Sequence, residues 1–525
     1  MIINHSSFVR RIKVVGIVAL ISGLTAATTA MIFDLSLVGI LHAPVKPAHV
    51  DQLRFLSLLQ AGQGKVAFEK AFIQGDILFD SQLNSLDGIG ANVGQGQRFT
   101  RLPRADLTGP GEWANHFPKR STGPNAQACV ECHSVPATDG AGLISANAIR
   151  DPEHSGDVRK MIQRNPPHIF GAGALQRVAE EMTEQLHSLR ANLGRSVQLS
   201  GMPATIDLLA KGVNFGRLSA VPGGNTAVFS TVAVEGINSD LVVRPFQWKG
   251  TVASLRDFNR GAMHNELGMQ AIELVGEGVD GDGDGVVNEM TVGDITALTI
   301  YTAAQPRPMT KIEINQFGLL PAPLTITDVR EIQHGQSVFN QIGCATCHLQ
   351  TMTLLDPIFR EPSNNPYYRD SRFPSGALAR AAGVRADMPI QFDLSRDHPG
   401  NIFVIRNALV RLGALRRLVN APGYAVDLYS DLKRHYMGTG LAESIDEAGT
   451  GAATWLTKPL WGVGMTAPYM HDGRATTLTE AILEHGGEAV VSADNFRRLA
   501  TQDQLDLMLF LDNLTLIKGG LPVGF

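Results

Sequence analysis

The chain has 525 residues, of which 44% are hydrophobic and 18% charged, enough for packed cores in two or more domains and incompatible with a disordered chain. A net charge of −5 without a long basic run argues against a nucleic-acid partner. Four cysteines are too few for a disulfide framework at this length.

Arg10, Arg11 and Lys13 precede an uncharged stretch from Val14 to Phe33, with small residues (Thr25, Ala26, Ala27, Ala30) towards its end. Residues 1–33 read as a secretory signal, or as an uncleaved N-terminal membrane anchor. No other stretch is apolar for long enough to span a bilayer. The expected location of the working part is therefore the periplasm.

After an N-terminal extension, residues 129–133 read Cys-Val-Glu-Cys-His, and residues 344–348 read Cys-Ala-Thr-Cys-His. The two patterns consume all four cysteines. Two thiols three positions apart share one face of a helical turn, where they can form thioethers to two vinyl groups, and the adjacent His then reaches the iron. This predicts two covalently bound haem c groups, on Cys129, Cys132 and His133 and on Cys344, Cys347 and His348. A redox-active dithiol would not need the His, and zinc would need four ligands converging from both motifs.

Leu175, Val178, Met182 and Leu186 form a helical stripe, and Thr226 to Val234, behind Pro222-Gly223-Gly224-Asn225, a strand-like patch. Trp248-Lys249-Gly250-Thr251-Val252-Ala253-Ser254-Leu255 shares the skeleton x-x-Gly-x-small-x-x-Leu with His471-Asp472-Gly473-Arg474-Ala475-Thr476-Thr477-Leu478. Gly250 follows His133 by 117 residues and Gly473 follows His348 by 125, which points to a duplication. Asp280, Asp282, Asp284 and Asn288, with Gly285 at the sharp turn, have the oxygen-ligand spacing of a Ca²⁺ loop. Position 12 is Thr291, so Glu289 or Asp294 is the candidate for the missing carboxylate. Pro306 and Pro308 mark a boundary, giving an N-terminal haem domain at 50–308 and a C-terminal one at 309–525. Asp356 to Asn401 reads as a long loop near the haem edge, or as a surface insertion. His435, Tyr436 and Met437 are consecutive and each type binds iron; Met437 is the preferred sixth ligand, with Met465 and Met470 behind it. The fold class is mainly α: two cytochrome c-like haem domains with irregular loops and a small β patch in the N-terminal half.

Further segments are Gly123-Pro124-Asn125, residues 170–176 (Phe-Gly-Ala-Gly-Ala-Leu-Gln) and residues 244–250 (Arg-Pro-Phe-Gln-Trp-Lys-Gly). The second half adds residues 435–438 (His-Tyr-Met-Gly), Pro459-Leu460-Trp461-Gly462, and residues 468–474 (Pro-Tyr-Met-His-Asp-Gly-Arg). With the haem motifs, these make the chain resemble the bacterial di-haem cytochrome c peroxidase superfamily, which includes the MauG-like enzymes. The resemblance is closest to its di-haem oxidoreductase branch and runs from about residue 60 to the C-terminus. It implies an exported oxidoreductase, peroxidase-like, in which electrons pass from the C-terminal haem to a reactive N-terminal haem, with Ca²⁺ between the domains. It implies a small redox protein such as a cytochrome c as electron donor and a small oxidant such as H₂O₂. Trp248 takes the place of the family's relay Trp. The family's distal Glu stands immediately before a Met; here that place is Gly268-Met269, so Glu266 or His264 is left to deliver protons. His471 is expected to support a haem propionate. The alternatives are a di-haem electron-transfer cytochrome without its own substrate, and a MauG-like enzyme that oxidises a docked protein.

Overall fold

The computed structural model describes residues 48–90, 124–153, 155, 157–369, 382–396, 402–405 and 408–517, all within the unit His42–Phe525. The signal or anchor at 1–33 and residues 91–123 of the N-terminal extension lie outside the described residues. No helix among the described residues is long and apolar enough to cross a membrane.

Asp51 caps helix α1 (Gln52–Gln60), its side chain accepting the Leu53 N–H. Helix α2 (Gly64–Asp80) repeats apolar residues every three or four positions and buries Phe68, Phe72, Leu78 and Phe79. The first cysteine motif forms the single turn α3 (Cys129–Cys132). The predicted stripe belongs to α4 (Ala172–Ser200), where Leu175, Val178, Met182 and Leu186 are all buried. Next come antiparallel strands β1 (Ala204–Ala210), β2 (Val213–Val221) and β3 (Val228–Ser230), then α5 (Leu255–Ala262) and α6 (Val292–Ala303). Only Val228–Ser230 of the predicted patch is strand. The β1–β2 hairpin before it, with weak alternation, was not expected.

In the second half α7 (Ile326–Gln341) leads into the second motif. Strands β4 (Ile358–Glu361) and β5 (Ile390–Asp393) pair antiparallel, as do β6 (Arg434–Tyr436) and β7 (Thr454–Leu456). Helices α8 (Leu478–Leu483) and α9 (Thr501–Asn513) complete it. The β content therefore extends beyond the N-terminal patch. The described part of the Asp356–Asn401 stretch is core-forming rather than a loop at a haem edge. Phe392 stacks on Phe68 of α2 at 4.7 Å and packs against Phe359 at 5.4 Å. Its short strands alternate over only four residues, too few to register as periodicity.

Two helix crossings repeat one geometry. Where α2 crosses α6, a Cβ on Gly75 would collide with the Ala297 carbonyl and the Tyr301 side chain. Where α7 crosses α9, a Cβ on Gly335 would collide with the Asp506 carbonyl. Four residues after each glycine stands a phenylalanine. Phe79 lies 5.4 Å from Tyr301 and 5.9 Å from His133; Phe339 lies 5.3 Å from Phe510 and 6.4 Å from His348. Each crossing thus aims one aromatic ring at the His of the neighbouring motif.

Apolar burial does not divide at 308. The larger cluster gathers residues from Val50 to Ala304 and adds Phe359, Phe392, Leu394, Leu415, Val426 and Leu428. The smaller cluster holds Ile332, Val338, Phe339, Phe496, Leu507 and Phe510 around the α7–α9 crossing. Gly75→Ala and Gly335→Ala should each cost about 1–3 kcal/mol or more through overpacking, read from urea denaturation. Gly261→Ala, in α5 with nothing within 4 Å of the new Cβ, should be neutral or stabilising.

Candidate functional site

Both motifs close the same turn: the His133 N–H donates to the Cys129 carbonyl and the His348 N–H to the Cys344 carbonyl, each at 3.0 Å. Both imidazoles are then held alike. His133 Nδ1 lies 3.2 Å from the Gly140 carbonyl and His348 Nδ1 lies 3.0 Å from the Tyr429 carbonyl. A carbonyl accepts only, so Nδ1 carries the proton and Nε2 keeps its lone pair for a metal. Burial pushes both rings down, His348 to about 4, so both are neutral near pH 7. None of the four cysteines is in a disulfide, and burial raises the Cys129 and Cys344 thiols to about 12. A reactive dithiol needs the opposite shift. Among the described residues no metal-sized group unites the two motifs, as shared zinc would require.

His133 and His348 both line one cavity of ≈ 580 Å³, walled mainly by apolar and aromatic side chains. That size and lining suit a large, flat, mostly apolar cofactor.

The two turn-helix elements predicted from sequence share their local construction. Gly250 (φ 59°) and Gly473 (φ 71°) turn left-handed. Isolated bridges Phe246–Val252 and Tyr469–Ala475 close the turns. Ser254 caps α5, accepting the Asp257 N–H, and Thr477 caps α8, accepting the Glu480 N–H. Trp248 and His471 hold equivalent places and meet edge-on at 6.5 Å. Asn165 joins them: its carbonyl accepts from Trp248 Nε1 at 2.8 Å, and its N–H donates to the His471 carbonyl at 2.7 Å. His471 stacks on Trp455 at 3.9 Å, and burial lowers its pKa, leaving the ring neutral. On Trp455 also lies the Lys249 ammonium, 3.7 Å from the ring centre. Lys249 donates to the carbonyls of Gly451, Ala452 and Thr454 at 3.0–3.1 Å.

Of the three consecutive candidates for the second site, Tyr436 is 48% exposed. His435 has both ring nitrogens engaged, Nε2 with Asp431 and Nδ1 with Glu488, each at 2.7 Å. Burial alone would lower its pKa; Asp431, Cys347 and Glu488 raise it to about 11, so it is an imidazolium. Met437 lines the cavity, as does Met470, whereas the Met465 sulfur accepts the Thr515 hydroxyl. Sequence reasoning missed His485. It follows α8, lines the cavity and lies 6.4 Å from His348, ring centre to ring centre. Its Nδ1 donates to the Ala481 carbonyl at 2.7 Å, leaving Nε2 for a metal. The duplicated skeleton could have revealed it: twelve residues after Gly473 comes His485, and twelve after Gly250 comes Ala262.

Glu266 and His264 lie in a single π-helical stretch, Met263–Leu267, and neither lines the cavity. The Glu266 carboxylate accepts from Asn125 Nδ2 at 2.6 Å and its carbonyl accepts the Asn125 N–H, so it anchors the segment that leads into Cys129. The acidic loop brings carboxylate oxygens of Asp280, Asp282 and Asp284 within 4.8 Å of one another. Asn288 Oδ1 accepts the Gly278 N–H at 2.6 Å. Thr291 and Asp294 form the capping box of α6, and Asp294 also accepts from His49 Nδ1 and the Val50 N–H, so neither is left for a cation. Glu289 is buried beside the loop. Burial and the three Asp charges raise its pKa to about 9, as a cation there would reverse.

Residues 409–514, about a fifth of the chain, match the family described as "Di-haem oxidoreductase, putative peroxidase". Over that stretch the match bears out the resemblance carried by the motifs. No curated protein matches. Among solved structures the chain is similar to a MauG-like protein associated with microbial copper homeostasis, at 17% identity and TM-score 0.23, covering 51% of this chain and 68% of that one. It is also similar to the hydrazine synthase of Kuenenia stuttgartiensis, at 16% identity and TM-score 0.20, covering 62% and 88%. At these scores neither structural likeness bears on the argument.

Lys249→Met should strip three buried carbonyls of their donor. We expect a loss of about 1–3 kcal/mol in urea denaturation followed by far-UV circular dichroism.

Proposed function

We propose that the chain is an exported di-haem c-type oxidoreductase of the peroxidase class, with each haem attached at one Cys-x-x-Cys-His motif. The residues fit the group. His133 and His348 present neutral Nε2 atoms to one cavity, and Cys129, Cys132, Cys344 and Cys347 supply the thioether positions. Haem iron held there would supply one-electron chemistry and, where a coordination position is open, chemistry with a small oxidant such as H₂O₂.

The observation that carries this reading is the asymmetry of the duplicated unit. Two imidazoles on opposite sides of one metal, each bound at about 2 Å, hold their ring centres about 6 Å apart. His348 and His485 stand at 6.4 Å, both with Nδ1 pinned to a carbonyl. His348 and His485 would therefore hold the iron of the second site, His485 in preference to Met437, and would leave it no open position. At the same offset in the first half stands Ala262, which does not line the cavity and whose methyl binds no metal. The first site is therefore the one where an oxidant is met, and the second the one where electrons from a small redox protein enter. Trp248, pinned by Asn165 on the shared wall, is the relay between them. Asp280, Asp282 and Asp284 with Glu289 form the proposed Ca²⁺ site. A second reading, electron transfer without a substrate, is favoured by one observation: neither Glu266 nor His264 lines the cavity to deliver a proton.

Low-temperature EPR of the purified protein, oxidised and then poised at one electron, separates the readings. A high-spin signal that H₂O₂ removes supports the enzyme; two low-spin signals indifferent to H₂O₂ leave only electron transfer. His485→Ala should turn the second site high-spin, and Met437→Leu should not. Cys344→Ala with Cys347→Ala should halve the haem content and stop turnover while the first site still binds small ligands. Removing Ca²⁺ with a chelator should lower the melting temperature; an unchanged value rules out the calcium site.

A further inference from the structure

Cations around the cavity are of two kinds: Arg164 and Lys249 lie against the ring of the lining residue Trp455, and Lys458 lines the cavity itself. Arg164 and Lys249 are matched: Arg164 pairs with Glu443 and with Glu447 at 2.7 Å, and Lys249 has three carbonyls and Glu443 at 3.7 Å. Lys458 is not. It lines the same cavity two residues after β7, with its ammonium 5.2 Å from the centre of the Trp248 ring. Among the described residues it makes neither a hydrogen bond nor an ion pair, and burial alone pushes its pKa down to about 8.

His168 stands on the same wall within reach of the Lys458 charge, and burial pushes it down to about 4. Its Nε2 donates to the Trp461 carbonyl at 2.8 Å, while its Nδ1 is buried without a partner. That Nδ1 is the lone-pair side of a neutral ring and offers an anion nothing, so of the two the Lys458 ammonium alone faces the cavity unmatched.

Desolvating an ammonium without an anion is expensive, and protein interiors pair such charges. What completes this wall is an anion. The rest of the wall narrows its form: Phe170, Phe246, Phe258 and Trp461 line the cavity too, and a small inorganic ion would leave those faces bare. The occupant must be a large apolar body with an anionic edge.

We propose that Lys458 is the carboxylate-binding subsite of this cavity, and that the carboxylate it takes is a propionate of the tetrapyrrole bound there. The assignment rests on the di-haem reading. It fixes which edge of the cofactor lies against Trp248, and it gives Lys458 a positioning and electrostatic role that neither motif supplies. A fixed positive charge stabilises the reduced, more negative form of a nearby redox centre.

The test uses the full-length protein as purified, with haem counted by the pyridine haemochrome and midpoint potentials measured by spectroelectrochemical titration. In Lys458→Met one of the two midpoints should fall while the other stays. Lys458→Gln, which keeps length and polarity, should do the same, and Lys458→Arg should restore the wild-type value. Sodium acetate titrated into the wild type should change nothing, because the subsite is filled. If acetate instead gives a saturable spectral change that Lys458→Met abolishes, with equal midpoints in acetate-free buffer, the source is a free carboxylic acid and the propionate assignment is overturned. Unchanged midpoints in both neutral variants with no acetate response overturn the subsite altogether. A protein that binds no haem would instead sink the di-haem reading and the propionate with it, leaving the acetate titration to judge the subsite.

Discussion

Everything near the two motifs depends on helices that touch backbone to backbone. Gly75 lets α2 settle on Ala297, and Gly335 lets α7 settle on Asp506. Each close approach fixes a phenylalanine one turn later, and that ring packs between the partner helix and the neighbouring histidine. Dispersion attraction falls steeply with a gap of even half an ångström, so the glycine sets the precision with which the imidazole is backed. A metal ligand needs this support, because its orientation must be set before the metal arrives.

The carbonyls of Gly140 and Tyr429 finish the task by fixing which nitrogen carries the proton. Burial keeps the rings neutral, the state a metal requires. At the same offset from the two turn glycines stand His485, which lines the cavity, and Ala262, which does not. The two copies also share their wall: Trp248 of one turn meets His471 of the other, and Asn165 is bonded to both.

Much of this was legible in the sequence. The motifs gave the histidines, and the skeleton around Gly250 and Gly473 gave two elements that share φ, capping and bridge pattern. The stripe from Leu175 to Leu186 gave part of α4, whose full length from Ala172 to Ser200 its polar outer face concealed. The rest was not legible for stated reasons. His485 has no local signature; only the register of the repeat singles it out. Lys458, Trp455 and His168 are scattered along the chain and become a wall, with Lys249 against Trp455, only through tertiary packing. His435 reads as an iron ligand by type, and only the flanking Asp431 and Glu488 show that its nitrogens are spent. Asp294 has the right charge for a calcium loop, yet capping α6 engages its oxygens.

The strands β4 and β5 lie beyond the proposed boundary, yet they lean on α2 through Phe392 and Phe68. From the same stretch Glu361 reaches Arg256 of α5 at 2.9 Å, inside a fully buried charge cluster. Two halves joined by core material that one lends the other are not cleanly divisible. The first half has given up a self-sufficient interior, whereas the cluster around the α7–α9 crossing is drawn from the second half alone, so the first half could not be inherited or shuffled as a separate module. The interior around the first motif is complete only when strands β4 and β5, encoded far downstream, have docked on α2.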